Sequence, residues 1–331
     1  MKVAVDVTPL AQTRAGTARH IRGLLPHLER TPGVELERFS FGGSGRAATL
    51  ARDTAWTLAA LPLEARRRRC DVLHCATYRA PLRSPVPVVV TVHDLAVLRQ
   101  PGWFPRWSRT YGQHLMPRAI RLADRVVCVS QATGHDVTAL LGVPETKVRV
   151  VPNGIDALFS EPPRGRPVDG PYILFVGTPE PRKNLERLAS AVSVLIAEGR
   201  PERLVLAGAD GWGGVQLPFA ERVVQLGRVA DPVLRDLYAH ASCVAYPSLW
   251  EGFGLVAGEA LAAGCPVVCS DIPALREVAG ADGTYCDPRS IPSIADALRR
   301  SLTTPRPAPR RELTWEAAAS SLADVWRELA A

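Results

Sequence analysis

The chain is expected to fold as a doubly wound α/β protein built twice. Short apolar, β-branched runs alternate with segments of helical periodicity along most of its length, as parallel strands joined by crossover helices require. The alternation is interrupted once, at Glu161-Pro-Pro-Arg-Gly-Arg-Pro-Val-Asp-Gly-Pro171, a stretch too rich in Pro and Gly to sustain either element. A length of 331 residues fits two domains. The expected division is residues 1–155, a linker over 156–171, a second domain over 172–312, and a terminal helical segment over 313–331.

In order, strands are expected at Lys2–Val7, Val34–Phe41, Asp71–Cys75, Val86–Val92, Arg125–Val129 and Val148–Val151. Helices are expected from Gly16 to about Arg30, from Trp107 to Ala123 and from Ala132 to Leu141. Alternation restarts with a strand at Tyr172–Val176, a helix at Leu185–Ala197, and strands at Arg203–Ala207 and Val223–Leu226. A helix at Pro232–Ala241, strands at Ser242–Tyr246 and Val267–Ser270, and an intervening helix at Leu255–Ala263 follow. The last helix, Trp315 to Leu329, carries Trp315, Ala319, Leu322 and Trp326 at helical spacing.

Charge is uneven. The net +7 divides into +11 over residues 1–155 and −4 over the remainder, so the first half suits an anionic partner: phosphate, an acidic membrane surface or nucleic acid. Neither a zinc-knuckle spacing nor an aromatic RNA platform is present, and no nucleic-acid partner is expected. The run Arg66-Arg-Arg-Arg69 reads as the solvated end of a helix. Seven scattered cysteines, an odd count with no C-x-x-C pair, speak against a disulfide framework or zinc. No run reaches the roughly 18 apolar residues of a spanning helix, and the N-terminal apolar run is too short for a signal peptide. A cytoplasmic location, with contact at the inner membrane face, is the expectation.

The most informative stretch is Tyr246-Pro-Ser-Leu-Trp-Glu251-Gly-Phe-Gly254-Leu-Val-Ala-Gly-Glu259. Its turn sits between a strand and a helix, at the carboxyl end of a strand, where open α/β sheets bind ligands. The helix N-terminus favours an anion. Glu251 and Glu259 suit diols such as sugar hydroxyls and a ribose. Arg182 and Lys183 stand at another strand-to-helix loop, where cations oppose the helix dipole and so call for a bound anion. No D-x-D occurs, so a diphosphate would be neutralised by side chains and backbone amides, and no metal is expected. Gly43-Ser-Gly45-Arg-Ala-Ala48 fits a dinucleotide fingerprint. It follows the second strand and lacks a closing acidic residue, so it reads as a plain turn.

At these residues the chain resembles the retaining glycosyltransferases of family 4, whose fold, GT-B, sets two Rossmann-like domains across a cleft. The resemblance rests on P-S-L-W-E-G-F-G-L-V-A-G-E at 247–259, Phe175-Val-Gly177-Thr-Pro-Glu-Pro-Arg182-Lys183-Asn184, Val150-Val-Pro-Asn153-Gly154-Ile-Asp156, Thr91-Val-His93-Asp94 and Arg14-Ala-Gly16-Thr-Ala-Arg19-His20. The P-R-K-N run points to one subgroup.

It implies transfer of a hexose from a nucleotide diphosphate sugar, as co-substrate rather than bound cofactor, to a glycan, lipid-linked or small-molecule hydroxyl. His93, Arg182, Lys183 and Glu251 would carry catalysis. Gly16, Val229, Gly252, Phe253, Gly254, Leu255 and Glu259 would join Arg182, Lys183 and Glu251 around the donor. His93 and Asp94, with Trp103 and Arg106, would face the acceptor. Trp103 and Trp107 equally suit a core anchor for a helix entry. The terminal helix would cross back to the first domain. A non-catalytic nucleotide-sugar binder, an epimerase and a phosphorylase share the scaffold. A pyridoxal phosphorylase needs a dedicated lysine, and only Lys2, Lys147 and Lys183 are available.

Overall fold

The computed structural model describes residues 1–12, 16–43, 45–209 and 219–330. They form two compact units, Met1–Gly154 with Leu313–Ala331, and Ile155–Glu312.

In the first unit, strands β1 (Lys2–Asp6), β2 (Glu35–Phe39), β3 (Val72–Cys75), β4 (Val88–Val92), β5 (Arg125–Cys128) and β6 (Val148–Val150) make a sheet of order β2-β1-β3-β4-β5-β6. Every pairing is parallel. Its helices are α1 (Pro9–Gln12), α2 (Gly16–Leu28), α3 (Gly45–Ala51), α4 (Leu61–Arg67), α5 (Ala96–Arg99), α6 (Arg106–Leu122) and α7 (Gln131–Leu141). A π-helical stretch, Arg52–Ala60, joins α3 to α4. β3 and β4 are buried throughout, as strands covered by helices on both faces must be. The core gathers Leu73, Val90, Val92, Met116, Ile120 and Val126 between sheet and helices.

In the second unit, β7 (Tyr172–Val176), β8 (Arg203–Ala207), β9 (Val223–Gly227), β10 (Cys243–Tyr246), β11 (Val267–Ser270) and β12 (Gly283–Cys286) form a second parallel sheet, β12-β11-β10-β7-β8-β9. Around it lie α8 (Leu185–Ala197), α9 (Asp231–His240), α10 (Leu255–Ala262), α11 (Pro273–Ala279) and α12 (Ile291–Thr303). The last helix, α13 (Trp315–Ala330), belongs to the first unit and packs on α2 and β3. Trp326 is fully buried there, and the Glu328 carboxylate accepts hydrogen bonds from Arg125 and Arg149, each at 2.9 Å.

Two features depart from expectation. β12 is absent from the sequence reading because Gly283-Thr-Tyr-Cys286 is a short, half-exposed edge strand rather than an apolar run. Residues 156–171, read as a linker, fall inside the second unit. Phe159 is buried with its ring 5.6 Å from that of Tyr238, and the Arg164 N–H donates to Asp236 at 3.0 Å. Phe159 and Val168, both buried, thus hold a segment whose composition suits no regular element. Part of the G-x-G-x-x-A stretch, Ser44, and the Arg14-Ala15 start of the fifth motif lie outside the described residues; Gly45 opens α3.

The seat of α13 is unusually close. A Cβ built on Gly154 would lie 2.1 Å from the Trp315 backbone nitrogen, and one on Gly23 would lie 2.2 Å from the Trp315 indole. Gly154→Ala is therefore expected to destabilise the first unit by about 1–3 kcal/mol or more through overpacking. Gly42→Ala, with open space around its Cβ and no positive φ, is the matched control. Equal melting temperatures for the two variants would refute the close seat.

Candidate active site

In the second sheet β7 pairs with β10 on one side and β8 on the other. The chain runs outward from β7 through β8 to β9, then returns to β10 on the opposite flank. The gap at the carboxyl ends of β7 and β10 is thus a topological switch point, the usual ligand crevice of an open α/β sheet. Both motifs singled out in this half end there.

The loop after β7 is a single 3-10 turn, Pro181–Lys183, closed by Asn184 in the left-handed conformation at φ 61°. Asn tolerates this region better than most residues. Its side-chain amide donates to the Pro247 carbonyl at 2.9 Å and the Pro288 carbonyl at 2.7 Å. The Leu249 N–H donates to the Arg182 carbonyl at 2.7 Å. The last residue of P-R-K-N therefore staples the β7 loop to the β10 loop. The β10 loop ends at Gly254, the N-cap of α10, with φ 111°. A Cβ there would also stand 2.5 Å from Leu275, so both conformation and space demand glycine.

These loops bring three predicted residues into one ion cluster. Lys183 Nζ lies 2.7 Å from Glu251 Oε1 and 2.7 Å from the Tyr246 hydroxyl. Arg182 Nη1 lies 3.2 Å from Glu251 Oε2, and its Nε lies 2.9 Å from Glu180. Lys183 also stands 4.6 Å over the Tyr246 ring. On Glu251 burial opposes ionisation, but Lys183 and Arg182 outweigh it and hold the carboxyl at about 2. Burial pulls the Lys183 ammonium below its ordinary value despite Glu251. The direct contact at 2.7 Å nonetheless keeps the pair charged at neutral pH. The anion that the two cations called for is thus supplied by the protein. Glu251, expected to hold sugar hydroxyls, has both oxygens engaged by Arg182 and Lys183.

Gly252, Phe253, Gly254 and Leu255 continue this loop into α10, with Phe253 buried. Glu259, expected as a ribose acceptor, is buried within α10, and Oε2 accepts from the Tyr238 hydroxyl at 2.8 Å. Val229 follows the edge strand β9, two strands from β7.

The other candidates lie in the first unit. His93 follows β4, half-buried, and its Nε2 donates to the Ala76 carbonyl at 3.0 Å. Burial lowers its pKa, with the Ala76 carbonyl and Asp94 opposing. Asp94 caps the next turn by accepting from the Ala96 N–H at 2.9 Å. Gly16 opens α2. Trp103 is half-buried and Arg106 exposed. Trp107 is exposed, with its indole N–H donating at 2.9 Å to Asp53, a fully buried carboxylate that also accepts from Arg52 and Arg79.

Tyr246, Tyr238, His20 and Asn153 were not assigned from sequence. Tyr246 and Tyr238 look like ordinary strand and helix residues, and only their hydroxyls meeting charged partners sets them apart. His20 and Asn153 lie in quoted motifs, but nothing in the spacing joins them.

Comparison with known proteins accords with this arrangement. Residues 14–157 match the family model described as Glycosyltransferase Family 4, and residues 170–304 match that of Glycosyl transferases group 1. The O-antigen chain mannosyltransferase B of Escherichia coli is 32% identical over 65% of this chain and 61% of its own length. The chain thus spans less than two thirds of that protein. The D-inositol 3-phosphate glycosyltransferase of Xylanimonas cellulosilytica is 30% identical over 83% of this chain and 76% of its own. The solved sucrose-phosphate synthase of Thermosynechococcus elongatus superposes with a TM-score of 0.77 at 19% identity, over 99% of both chains. That likeness shows the fold, GT-B, and nothing of substrate. On its two matched models and the 30% identity spanning most of a relative, the chain belongs to glycosyltransferase family 4.

Proposed function

We propose that the chain is a retaining, metal-independent glycosyltransferase of the P-R-K-N subgroup, moving a hexose from a nucleotide diphosphate sugar to a hydroxyl of a glycan or lipid-linked acceptor. The observation that carries this reading is the Arg182–Lys183–Glu251 cluster at the switch point between β7 and β10. As the bond to the anomeric carbon breaks, negative charge grows on the leaving diphosphate. Two guanidinium or ammonium donors already fixed in place stabilise that charge without reorganising. Arg182, Lys183, Glu251 and Glu180 sum to zero charge, so the diphosphate competes with the two carboxylates for the cations. Lys183 and Arg182 share the load, and Glu251 sets their spacing and reaches the sugar hydroxyls once they turn to phosphate.

Glu259, held by Tyr238, receives the ribose hydroxyls. Gly252 to Leu255 offer backbone amides at the α10 N-terminus. Gly16 and Val229 complete the donor set. His93 and Asp94, with Trp103 and Arg106, serve the acceptor side. The first-half charge of +11 suits a phosphate-bearing acceptor met at a membrane face. Relatives named as mannosyltransferase and glycosyltransferase support sugar transfer in general. Front-face attack, with no protein nucleophile, accounts for retention.

Lys183→Ala is the direct test. Removing one donor to a developing anion costs on the order of 100-fold in turnover, with a smaller change in donor affinity because the charge grows in the transition state. A thermal-shift panel of nucleoside diphosphates and their sugars reads donor binding, since a ligand that binds only the folded chain raises its melting temperature. Transfer should persist in excess chelator. A strict need for magnesium or manganese overturns the metal-independent reading, and an unchanged rate in Lys183→Ala overturns the phosphate assignment.

A further inference from the structure

Two residues of the motifs noted in the sequence remain without a task in this reading: His20, which ends the Arg14–His20 stretch, and Asn153 of Val151-Pro-Asn153-Gly154. The structure brings them together. His20 is buried on α2, and its Nδ1 lies 2.6 Å from Asn153 Oδ1. An amide oxygen only accepts, so Nδ1 carries the proton and Nε2 does not. The His20 ring meets His93 edge to face, with centroids 4.8 Å apart and planes at 86°. On another side it meets Trp315 at 6.0 Å and 76°. Trp315 is itself clamped against Gly23 and Gly154. His20 is therefore immobilised through Asn153, next to Gly154, and through the first residue of α13.

His93 needs such a neighbour. Among the described residues its side chain makes one hydrogen bond, from Nε2 to the Ala76 carbonyl, which fixes a single ring atom. The proton on Nε2 leaves Nδ1 as the accepting nitrogen of the neutral ring. Where Nδ1 points depends on what packs against the imidazole, and His20 packs against it. A position required only for filling would suit an apolar ring. Instead a buried Nε2 without a hydrogen-bond partner among the described residues is tolerated here, at a desolvation cost that Phe would avoid.

We propose that His20 is a positioning residue for His93. Locked by Asn153 and Trp315, it fixes the His93 ring and hence the direction of Nδ1, which accepts from a sugar or acceptor hydroxyl. This rests on the placing of His93 beside the reacting groups in the function proposed above.

The experiment is a double-mutant cycle with a spectroscopic arm. His20→Ala is expected to lower kcat roughly ten- to a hundredfold, since misplacing a group by about 1 Å costs up to that much, while donor KM stays within about twofold. His20→Phe, which restores a ring, is expected to recover part of the loss. In a His93→Ala background His20→Ala is expected to cost little more, because both act through one ring. The NMR signals of the His93 imidazole are expected to shift and broaden in His20→Ala. Asn153→Ala, which removes only the lock, is expected to give a milder version of each result, and it decides the matter if His20→Ala does not fold. A lower melting temperature with unchanged kcat, a full additive loss on top of His93→Ala, or unchanged His93 signals would overturn the proposal. If His93→Ala itself transfers normally, the role given to His93 fails, and the NMR arm still decides whether His20 positions its ring.

Discussion

Glu251→Ala is expected to cost the second unit roughly 3–5 kcal/mol, because deleting one partner of a buried ion pair leaves the other charge unmatched. Arg182 keeps Glu180 in this variant, but the ammonium of Lys183, a residue of 9% exposure, keeps only the Tyr246 hydroxyl as a hydrogen-bond partner among the described residues. Lys183→Ala is expected to cost less, since Arg182 still neutralises Glu251. The two variants should therefore rank oppositely: Glu251→Ala worse for stability, Lys183→Ala closer to native stability yet defective in turnover. A stability loss of that size lowers the melting temperature of the unit by on the order of 10 °C, readable by calorimetry. Equal melting for Glu251→Ala and wild type would show the cluster to be dispensable to the fold. The pH dependence has a definite sign. Glu251 titrates at about 2 in the folded chain and near the ordinary value of about 4.3 when unfolded. Its contribution is complete above that ordinary value and is lost as pH falls through about 2.

Mild acid is expected to unfold the first unit well before it disturbs the Glu251 cluster. His74 is buried between Thr91, whose hydroxyl lies 2.8 Å from Nε2, and Trp326, whose ring centroid lies 5.5 Å away. Burial, with nearby His93 adding to it, pushes the His74 pKa down to about 3. His20 is also driven well down by burial, with His93 and His74 adding and Asn153 opposing. The unfolded chain takes up protons near pH 6.5 that these rings refuse while folded. Stability therefore falls as pH drops below about 6.5, by roughly 1.4 kcal/mol per pH unit for each such histidine. For His74 the loss continues until about pH 3 and reaches about 2 kcal/mol by pH 5. Asp6, raised by burial against its Thr8 hydrogen bonds, acts in the opposite sense nearer its own range. Urea unfolding at a series of pH values measures the slope. His74→Leu should be weaker at neutral pH, leaving the Thr91 hydroxyl unpartnered, yet lose one proton's worth of acid sensitivity. An unaltered slope in that variant would show that His74 is not a source of the acid sensitivity.

Much of the architecture was legible because it is written locally. α8 falls on the expected bounds Leu185–Ala197, and β7 on Tyr172–Val176, since an apolar period of two or near 3.6 is contained in any window of that length. Where the window holds no such pattern, as at Gly283–Cys286, the edge strand went unread. Where a few contacts decide, composition misleads: Phe159 packs on Tyr238 just before the Pro/Gly-rich stretch, and Arg164 and Val168 hold the stretch itself. At the site, the turn Glu251–Gly254 and the cations Arg182 and Lys183 were found from their residue types beside strand ends. Their mutual ion pairing is not legible there, because a cation beside a strand end calls for an anion without saying that the protein itself supplies it.

The alternation of strands and helices, the loops at the carboxyl ends of β7 and β10, and the residues those loops carry all follow from local pattern. Which side chains meet follows from the assembled sheets. Lys183 and Glu251 are 68 positions apart and His20 and Asn153 are 133 apart. The first pair meets because the sheet order sets β10 beside β7, and the second because α2 and the chain following β6 fold against α13. Strand order is a property of the whole buried core. Register, crossover and packing must be satisfied together, and no interval along the chain records their solution.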